Sequence, residues 1–255
     1  MTQPPAFEDL LALVEDRSAV LRESAAGSPG LDIRVPSCPD WSLRDLVGHL
    51  TEVHRFWAAA VAAGPGEHPP AVAPADDALS AGLLTQSALL SRSAEATQEL
   101  IAALRAAGPA MGCWTWWGES GVPMTSGAVA RHQVQEAAVH AFDGQLATGA
   151  PQPVPAVVAL DGIAEFIGVS HGTAGPWPYE PARIGLHAAE GESWLLDLKA
   201  PGSRVPGGQT GTAADLHGPA STLLLTLHGR LPLDSLRIQG DRATLENLLR
   251  WPSLD

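Results

Sequence analysis

Histidine and carboxylate side chains recur along one segment, RHQVQEAAVHAFDGQLATG at residues 131–149. Glu136 and His140 are four residues apart, so on a helix they share a face at roughly 6 Å along the axis, where one carboxylate and one imidazole can bind a single metal ion. His132 is on the same face but about 12 Å along the axis from His140, too far for both histidines to bind one ion. The spacing therefore predicts either His132 with Glu136 or Glu136 with His140. Asp143 follows His140 by three residues and could hydrogen-bond that imidazole or pair with its charge.

A third ligand has to come from another helix, as in bundles that build metal sites from facing helices. His49 is the best candidate, because it lies in the middle of a predicted helix among Leu46, Val47 and Leu50, where an imidazole needs a partner. A hydrogen-bonded core histidine is the competing interpretation. His54 is five residues further on and is turned about 140° away, so we expect it to be exposed or at the rim.

A tryptophan-rich stretch and a late arginine are further candidates. Trp114 and Trp117, in the cluster CWTWW, could wall a pocket, with packing in the core as the alternative. Arg230, in HGRLP, could bind a substrate carboxylate through its guanidinium, with stabilisation of a helix end as the alternative. His171 is predicted to lie in a loop without a special role. Asp241 is predicted to cap the last helix.

The N-terminal half has the pattern of four amphipathic helices, in which apolar residues recur at helical spacing. The predicted helices cover residues 7–26, 42–63, 77–107 and 125–147. Ser42 or Asp40 is predicted to cap the second helix, and Thr125 or Ser126 the fourth. The stretch VPSCPDW before the second helix is predicted to be a Pro-containing loop. Four such helices can enclose one core as a bundle, which predicts a first domain over residues 1–149.

The remaining residues, 150–255, have the pattern of a smaller α+β domain after a Pro-rich linker. A short helix is predicted over 156–169. Strands are predicted at ARIGLHA, SWLLDL, LRIQG and, weakly, QTGTAADLHG, and helices at ASTLLLTLHGR and DRATLENLLRW.

Composition excludes several classes of function. The formal net charge of −13 argues against a broad nucleic-acid surface, which needs clustered Lys and Arg. No apolar run is long enough to span a membrane, and no secretory signal pattern begins the chain. Cys38 and Cys113 are the two cysteines and are far apart in sequence, so we expect no disulfide framework. We therefore expect the protein to be in the cytoplasm, where cysteines stay reduced. Phosphate-binding glycine loops and the nucleophile elbow of hydrolases are missing. Lys199 is the only lysine, a bias typical of GC-rich genomes such as those of actinobacteria.

Two motifs resemble those of the mycothiol-dependent maleylpyruvate isomerase family. CPDWSLRDLVGHL, residues 38–50, is similar to the family's Cys-Pro-x-Trp turn, Arg-Asp-Leu step and metal-binding His. QEAAVHAFDGQLATG, residues 135–149, is similar to its second motif, in which Glu and His complete a two-histidine, one-carboxylate site. This resemblance, rather than the spacing, selects His140 over His132 and implies the ligand set His49, Glu136 and His140.

The resemblance also implies an architecture and a chemistry. It implies a DinB-like four-helix bundle followed by a sterol-carrier-like domain, a divalent metal with mycothiol as a possible cosubstrate, and a contribution of the C-terminal domain to the active site, for which Arg230 is the candidate. Zinc is the default ion for a mixed nitrogen and oxygen site. The family commonly has Arg-Trp between the second His and the Asp, whereas this chain has Ala141 and Phe142. Phe142 could therefore reshape the pocket.

Three functions remain open at this point. The first is an isomerase or thiol transferase that acts on a small electrophilic substrate. The second is a specialised biosynthetic enzyme on the same scaffold that uses no thiol, and the third is a small-molecule binding protein without turnover. Metal content separates the first from a metal-free binder, and thiol dependence separates the first from the second.

Overall fold

The computed structural model describes residues 4–71, 83–199 and 211–252, and the chain forms two compact units. One unit comprises Pro5–Gly118 with Pro123–Val154, and the other comprises Pro155–Asp255 with Glu119–Val122. The first unit is mainly helical, and the second combines helices with a mixed sheet. The predicted fold, a helical N-terminal region followed by a smaller α+β region, is confirmed.

Four long helices dominate the first unit: α1 (Phe7–Ala26), α2 (Leu43–Ala63), α3 (Gln86–Ala107) and α4 (Ser126–Ala147). Helices α1 and α2 each pack against both α3 and α4, so the four enclose one core. Fully buried side chains from different helices meet there, including Leu21, Leu46, Leu50, Leu89 and Ala137. Burial of these apolar faces is the main stabilising term for such a bundle.

Capping residues set where the site-bearing helices begin. The Ser42 hydroxyl accepts a hydrogen bond from the Asp45 N–H, while the Asp45 carboxylate accepts from the Ser42 N–H, which forms a capping box at the start of α2. Thr125 accepts from the Ala128 N–H at the start of α4. Both caps are among the candidates that the sequence offered.

Two predicted elements of this unit differ in the structure. The predicted Pro-containing loop before α2 holds a short antiparallel pair, β1 (Arg34–Val35) with β2 (Cys38–Ser42); Pro39 is compatible with such an isolated pair because it lies in an edge strand. The third helix was predicted from residue 77, but it begins at Gln86 because Thr85 caps it by accepting from the Ala88 N–H. Residues 77–82 of that prediction lie outside the described residues.

The second unit is a mixed sheet with helices on its apolar face. Its elements are α5 (Ala156–Phe166), a π-helical turn (Ile167–His171), β3 (Ala182–Ala188), β4 (Ser193–Leu198), β5 (Ala214–Gly218), α6 (Ala220–Leu227), β6 (Arg237–Gly240) and α7 (Arg242–Arg250). The strand order is β4-β3-β5-β6, with β3 and β5 parallel and the other pairs antiparallel. Ile184, Leu186 and Leu216 are buried on the face that contacts the helices.

Local details of this unit refine the predictions. Asp241 caps α7 by accepting from the Ala243 and Thr244 N–H groups, as predicted. The helix predicted over 156–169 continues as the π-helical turn, so the prediction of a loop at His171 is wrong: this residue is helical and buried. None of the helices in the described residues combines the length and the apolar character that a membrane span requires.

Candidate metal centre

Three candidate ligands converge between two helices of the bundle. His49 lies in the second turn of α2, and Glu136 and His140 lie one turn apart in α4. The Glu136 carboxylate is 3.1 Å from His49 Nε2 and 3.3 Å from His140 Nε2. One ligand atom from each side chain lies within 4.8 Å of the other two. No other group of three such side chains within the described ranges meets this criterion.

The charged groups of this cluster shift one another's pKa values. Burial would raise the pKa of Glu136, but the neighbouring His140 and the contact with His49 outweigh it and hold the pKa well below its ordinary value. Burial would lower the pKa of His140, but the Glu136 carboxylate and the hydrogen bond with Asp143 raise it to about 9. A cation that binds to these side chains would therefore compete with a proton for His140.

Asp143 fixes the orientation of one of these imidazoles. Its carboxylate is fully buried, and Oδ2 accepts a hydrogen bond from His140 Nδ1 at 2.9 Å. Its other oxygen accepts from the Ser37 hydroxyl at 2.5 Å. With Nδ1 engaged in this way, His140 directs Nε2 towards Glu136. A carboxylate behind a histidine is the usual arrangement that sets the tautomer of a metal-binding imidazole.

Trp41 packs over the cluster from the strand that precedes α2. Its ring centroid is 4.7 Å from that of His49 and 6.2 Å from that of His140. The indole therefore covers part of the imidazole pair and restricts the rotamer of His49. Trp41 and Ser37 were not among the predicted site residues, although Trp41 belongs to the Cys-Pro-x-Trp turn.

His132 lies in a different environment from the cluster. Its ring contacts Trp57, Trp116 and Trp117, with centroids 5.9, 5.8 and 5.0 Å away. The two histidines that the spacing left open as ligands therefore have different surroundings. His140 contacts Glu136 directly, whereas His132 lies among indole rings. Trp114 belongs to the same aromatic cluster through its contact with Trp57.

The remaining candidates are distributed over both units. Trp117 is fully buried, whereas Trp114 is partly exposed. Phe142 is buried, and it lies two residues from His140, on the opposite side of α4. Arg230 belongs to the second unit, where its guanidinium donates a hydrogen bond to the carbonyl of His228 at the end of α6.

The prediction for His54 is wrong, because its side chain is fully buried rather than exposed. Rotation by about 140° from His49 takes a residue off one face of a helix. In a bundle, however, α2 contacts helices on two sides, and His54 points into the interior, where it meets Thr97 of α3. A single periodic face could not predict this second buried face.

The donor set of the cluster fits a divalent cation. Two rigid helices present two imidazoles and one carboxylate, and Asp143 orients one of the imidazoles. Such a donor set is a common coordination sphere for zinc and related metals. Three protein ligands also leave positions open for a small molecule. The cluster can thus bind an ion and still admit a reactant.

Both parts of the sequence match models of one protein family. Residues 11–144 match the model described as the mycothiol maleylpyruvate isomerase N-terminal domain, and residues 157–247 match that of the C-terminal domain of the same family, abbreviated MDMPI. No curated protein matches the sequence significantly.

Solved structures share the fold of the chain. A crystal structure of the mycothiol-dependent maleylpyruvate isomerase is similar at 16% sequence identity with a TM-score of 0.67, over 99% of both chains. A crystal structure of a histidine-to-alanine mutant of the mycothiol-dependent maleylpyruvate isomerase is similar at 16% identity with a TM-score of 0.66, again over 99% of both chains. The full length of the chain therefore corresponds to the full length of these structures.

Proposed function

Because the chain belongs to the mycothiol maleylpyruvate isomerase family, we propose that it is a metal-dependent enzyme that uses a small thiol to act on a small electrophilic substrate. Mycothiol is the thiol that the name of the family suggests. The reaction is an isomerisation or a transfer of the thiol. The cytoplasm, which keeps small thiols reduced, is the proposed compartment.

The observation that carries this proposal is the convergence of His49, Glu136 and His140. Two imidazole nitrogens lie 3.1 and 3.3 Å from one carboxylate, at a position where two helices of the bundle face each other. A purely structural pair would need one imidazole and one carboxylate, whereas this cluster has a third donor and an imidazole oriented by Asp143. We assign the metal to these three side chains.

A divalent ion, with zinc as the expected choice, would lower the pKa of a thiol that coordinates it and so supply a nucleophile at neutral pH. The side chains of the chain hold and orient the reacting groups. Asp143 keeps the Nδ1 proton of His140 in place, so that Nε2 is available as a donor atom. Trp41 packs against His49 and keeps water from that side of the imidazole.

The outcome of the reaction depends on how long the thiol stays on the substrate. A thiolate that adds to an activated alkene and leaves after bond rotation catalyses cis–trans isomerisation. A thiolate that stays on the adduct makes the enzyme a transferase. For an anionic substrate we assign the binding of its charge to Arg230, whose guanidinium can hold a carboxylate through two parallel hydrogen bonds. We assign the partly exposed Trp114 to the apolar wall of the substrate site, and the fully buried Trp117 supports it through their shared contact with Trp57.

Metal content of single-residue variants tests the ligand assignment. We expect about one divalent ion per chain in the purified protein and loss of most of it in His49→Ala and in His140→Ala, because two remaining side chains chelate weakly. His132→Ala is the matched control, since this histidine lies on the same helix but among indole rings. Elemental analysis of the four proteins provides the measurement, with unfolding curves to confirm that each variant folds.

The same proteins test the thiol. Titration with mycothiol, followed by calorimetry, is expected to show binding to the metal-loaded protein and much weaker binding to His49→Ala. Full metal occupancy in His49→Ala, or loss of metal in His132→Ala with retention in His140→Ala, would contradict the proposed ligand set. Metal binding without any thiol binding would instead favour the thiol-independent function.

A further inference from the structure

A buried hydrogen-bond network fixes the tautomer of His54. The Thr97 hydroxyl donates its one hydrogen to the carbonyl of Ser93 at 2.9 Å. Its oxygen therefore acts as an acceptor towards the other two neighbours, Arg22 Nη1 at 3.1 Å and His54 Nδ1 at 3.2 Å. Since Thr97 has no second hydrogen to give, the hydrogen between it and His54 belongs to Nδ1.

The other ring nitrogen of His54 is consequently an acceptor. Burial lowers the pKa of this imidazole to about 4, so it is neutral at physiological pH and carries one ring hydrogen. With that hydrogen on Nδ1, Nε2 has a lone pair that can accept a hydrogen bond. This atom is buried, and no donor among the described residues reaches it. A buried acceptor left without a partner costs about 1–3 kcal/mol, so such atoms in proteins are usually satisfied.

Gln133 of α4 is a second buried side chain whose polar atoms need hydrogen-bond partners. Its side chain is fully buried, and neither amide atom has a hydrogen-bond partner within the part of the chain that the structure describes. Helix α2 contacts α4 at two heights along the bundle. His49 contacts Glu136 at one of them, and Trp57 contacts His132 at the other. In sequence, His54 lies between the two α2 positions and Gln133 between the two α4 positions. From the rise of about 1.5 Å per residue we infer that both lie at a similar height along the bundle.

We propose that His54 and Gln133 line a buried site that binds water next to the ligand cluster. One water can donate to His54 Nε2 and still exchange hydrogen bonds with the Gln133 amide, which supplies both a donor and an acceptor. Buried waters typically make about three hydrogen bonds to polar groups of this kind. Because both side chains belong to the interior of one unit, the proposal does not depend on the metal or on the thiol.

Nitrogen-15 NMR of the full chain with labelled histidine tests the tautomer. We expect His54 Nδ1 to carry a directly bonded hydrogen and Nε2 to resonate as an unprotonated, hydrogen-bonded ring nitrogen. A hydrogen on Nε2 would overturn the proposal, because the site would then face a donor instead of an acceptor.

A matched pair of variants separates the network from the general effect of burial. Thr97→Val removes the acceptor of His54 Nδ1, so we expect the ring to shift towards the Nε2–H tautomer. Thr51→Val is the control, because Thr51 is equally buried and also donates to a carbonyl four residues earlier. An unchanged His54 spectrum in folded Thr97→Val, or an equal change in Thr51→Val, would overturn the role of Thr97. If Thr97→Val does not fold, the wild-type spectrum and the experiment below decide.

A high-resolution crystal structure of the full chain tests the water itself. We expect ordered density within hydrogen-bond distance of His54 Nε2 and of the Gln133 amide. A dry site, a protein donor on Nε2, or a water that contacts one of the two side chains without the other would overturn the shared site. In solution, a long-lived cross-relaxation signal between water and the His54 ring hydrogens is the corresponding expectation.

Discussion

At the scale of single residues, Asp143 shows how a side chain outside the ligand set can control metal affinity. It holds His140 Nδ1 at 2.9 Å and is itself held by Ser37. We expect Asp143→Asn to lower metal affinity by about 10–100-fold, because the amide keeps the shape but removes the charge that makes the imidazole a stronger donor. Competition with a chelator measures this affinity.

The control for Asp143 is Ser37→Ala, which removes the hydroxyl on the other carboxylate oxygen and leaves the contact with His140 intact. A smaller loss of affinity is expected there. Equal affinities in wild type and Asp143→Asn would show that the orientation of His140 is set by packing alone.

The candidate ligands could be predicted from the sequence only in part. Helical periodicity placed Glu136 and His140 on one face, and their contact follows from backbone geometry. It could not choose between His132 and His140, a choice that required the family resemblance. The contact of Ser37 with Asp143 joins positions 106 residues apart, and no local pattern encodes such a pair.

At the scale of elements, Gly144 permits the close approach of α1 to α4. A Cβ at this position would lie 2.5 Å from Leu21 Cδ1, in a fully buried environment. Gly144→Ala should gain about 1 kcal/mol of helix propensity but lose about 1–3 kcal/mol to overpacking. We expect a net loss in the free energy of unfolding, measured by denaturant titration.

Gly30→Ala is the control for this substitution, because a Cβ there would meet nothing within 4 Å. Its unfolding free energy should remain close to that of wild type. Stabilisation in Gly144→Ala would mean that Leu21 finds another rotamer and that the glycine is not required for packing.

The π-helical turn carries a histidine that should make the second unit sensitive to acid. Burial lowers the pKa of His171 to about 4 from 6.5. In the unfolded chain the imidazole of His171 binds a proton more readily than it does when buried. The stability of the folded state that depends on a neutral His171 is therefore complete above pH 6.5 and is lost as the pH falls towards 4. The shift corresponds to about 3 kcal/mol at most.

His171→Phe should reduce this loss, because a phenyl ring can keep the contacts with Phe166 and Trp251 without taking up a proton. The free energy of unfolding, measured between pH 7 and pH 4, should fall less steeply than in wild type. His68→Phe, at an exposed position, controls for the loss of a histidine. Identical pH profiles for wild type and His171→Phe would rule out His171 as the source of acid sensitivity.

Element boundaries show what local patterns encode. Ser42, Thr125 and Asp241 were among the predicted caps and do begin their helices, because a capping side chain satisfies N–H groups of the next turn. The start of α3 at Gln86 was missed, since Leu83 and Leu84 extend the apolar pattern beyond the Thr85 cap. The π-helical turn has no sequence pattern of its own.

At the scale of the whole molecule, the division of the chain follows its change of composition. The helical period of the first half and the mixed pattern of the second were sufficient to predict a bundle and an α+β unit. The order of the strands was beyond the sequence, because β3 and β5 are parallel neighbours across a long connection while β3 and β4 form a hairpin. Pairings of this kind depend on tertiary packing.

The negative net charge of the chain opposes the binding of an anionic substrate. With a formal net charge of −13, the chain repels small anions at long range, so their binding needs a local cation. Arg44 and Arg131 belong to the bundle, and Arg230 belongs to the second unit. All three have protein partners: Arg44 donates to the carbonyl of Leu84 and Arg230 to that of His228, and Arg131 also has an interaction within the described residues. We propose that Arg230 of the second unit supplies this cation.

We expect Arg230→Ala to leave metal content and folding intact and to lower the turnover of an anionic substrate by at least tenfold, because a charge-assisted contact contributes roughly 1.5–3 kcal/mol. Arg237→Ala, at an exposed position of the same unit, is the control and should retain turnover. Steady-state kinetics with an anionic substrate and with its neutral ester separate the alternatives. An equal loss for both substrates would identify Arg230 as a structural residue at the end of α6, and unchanged turnover of the anion would remove it from the proposed site.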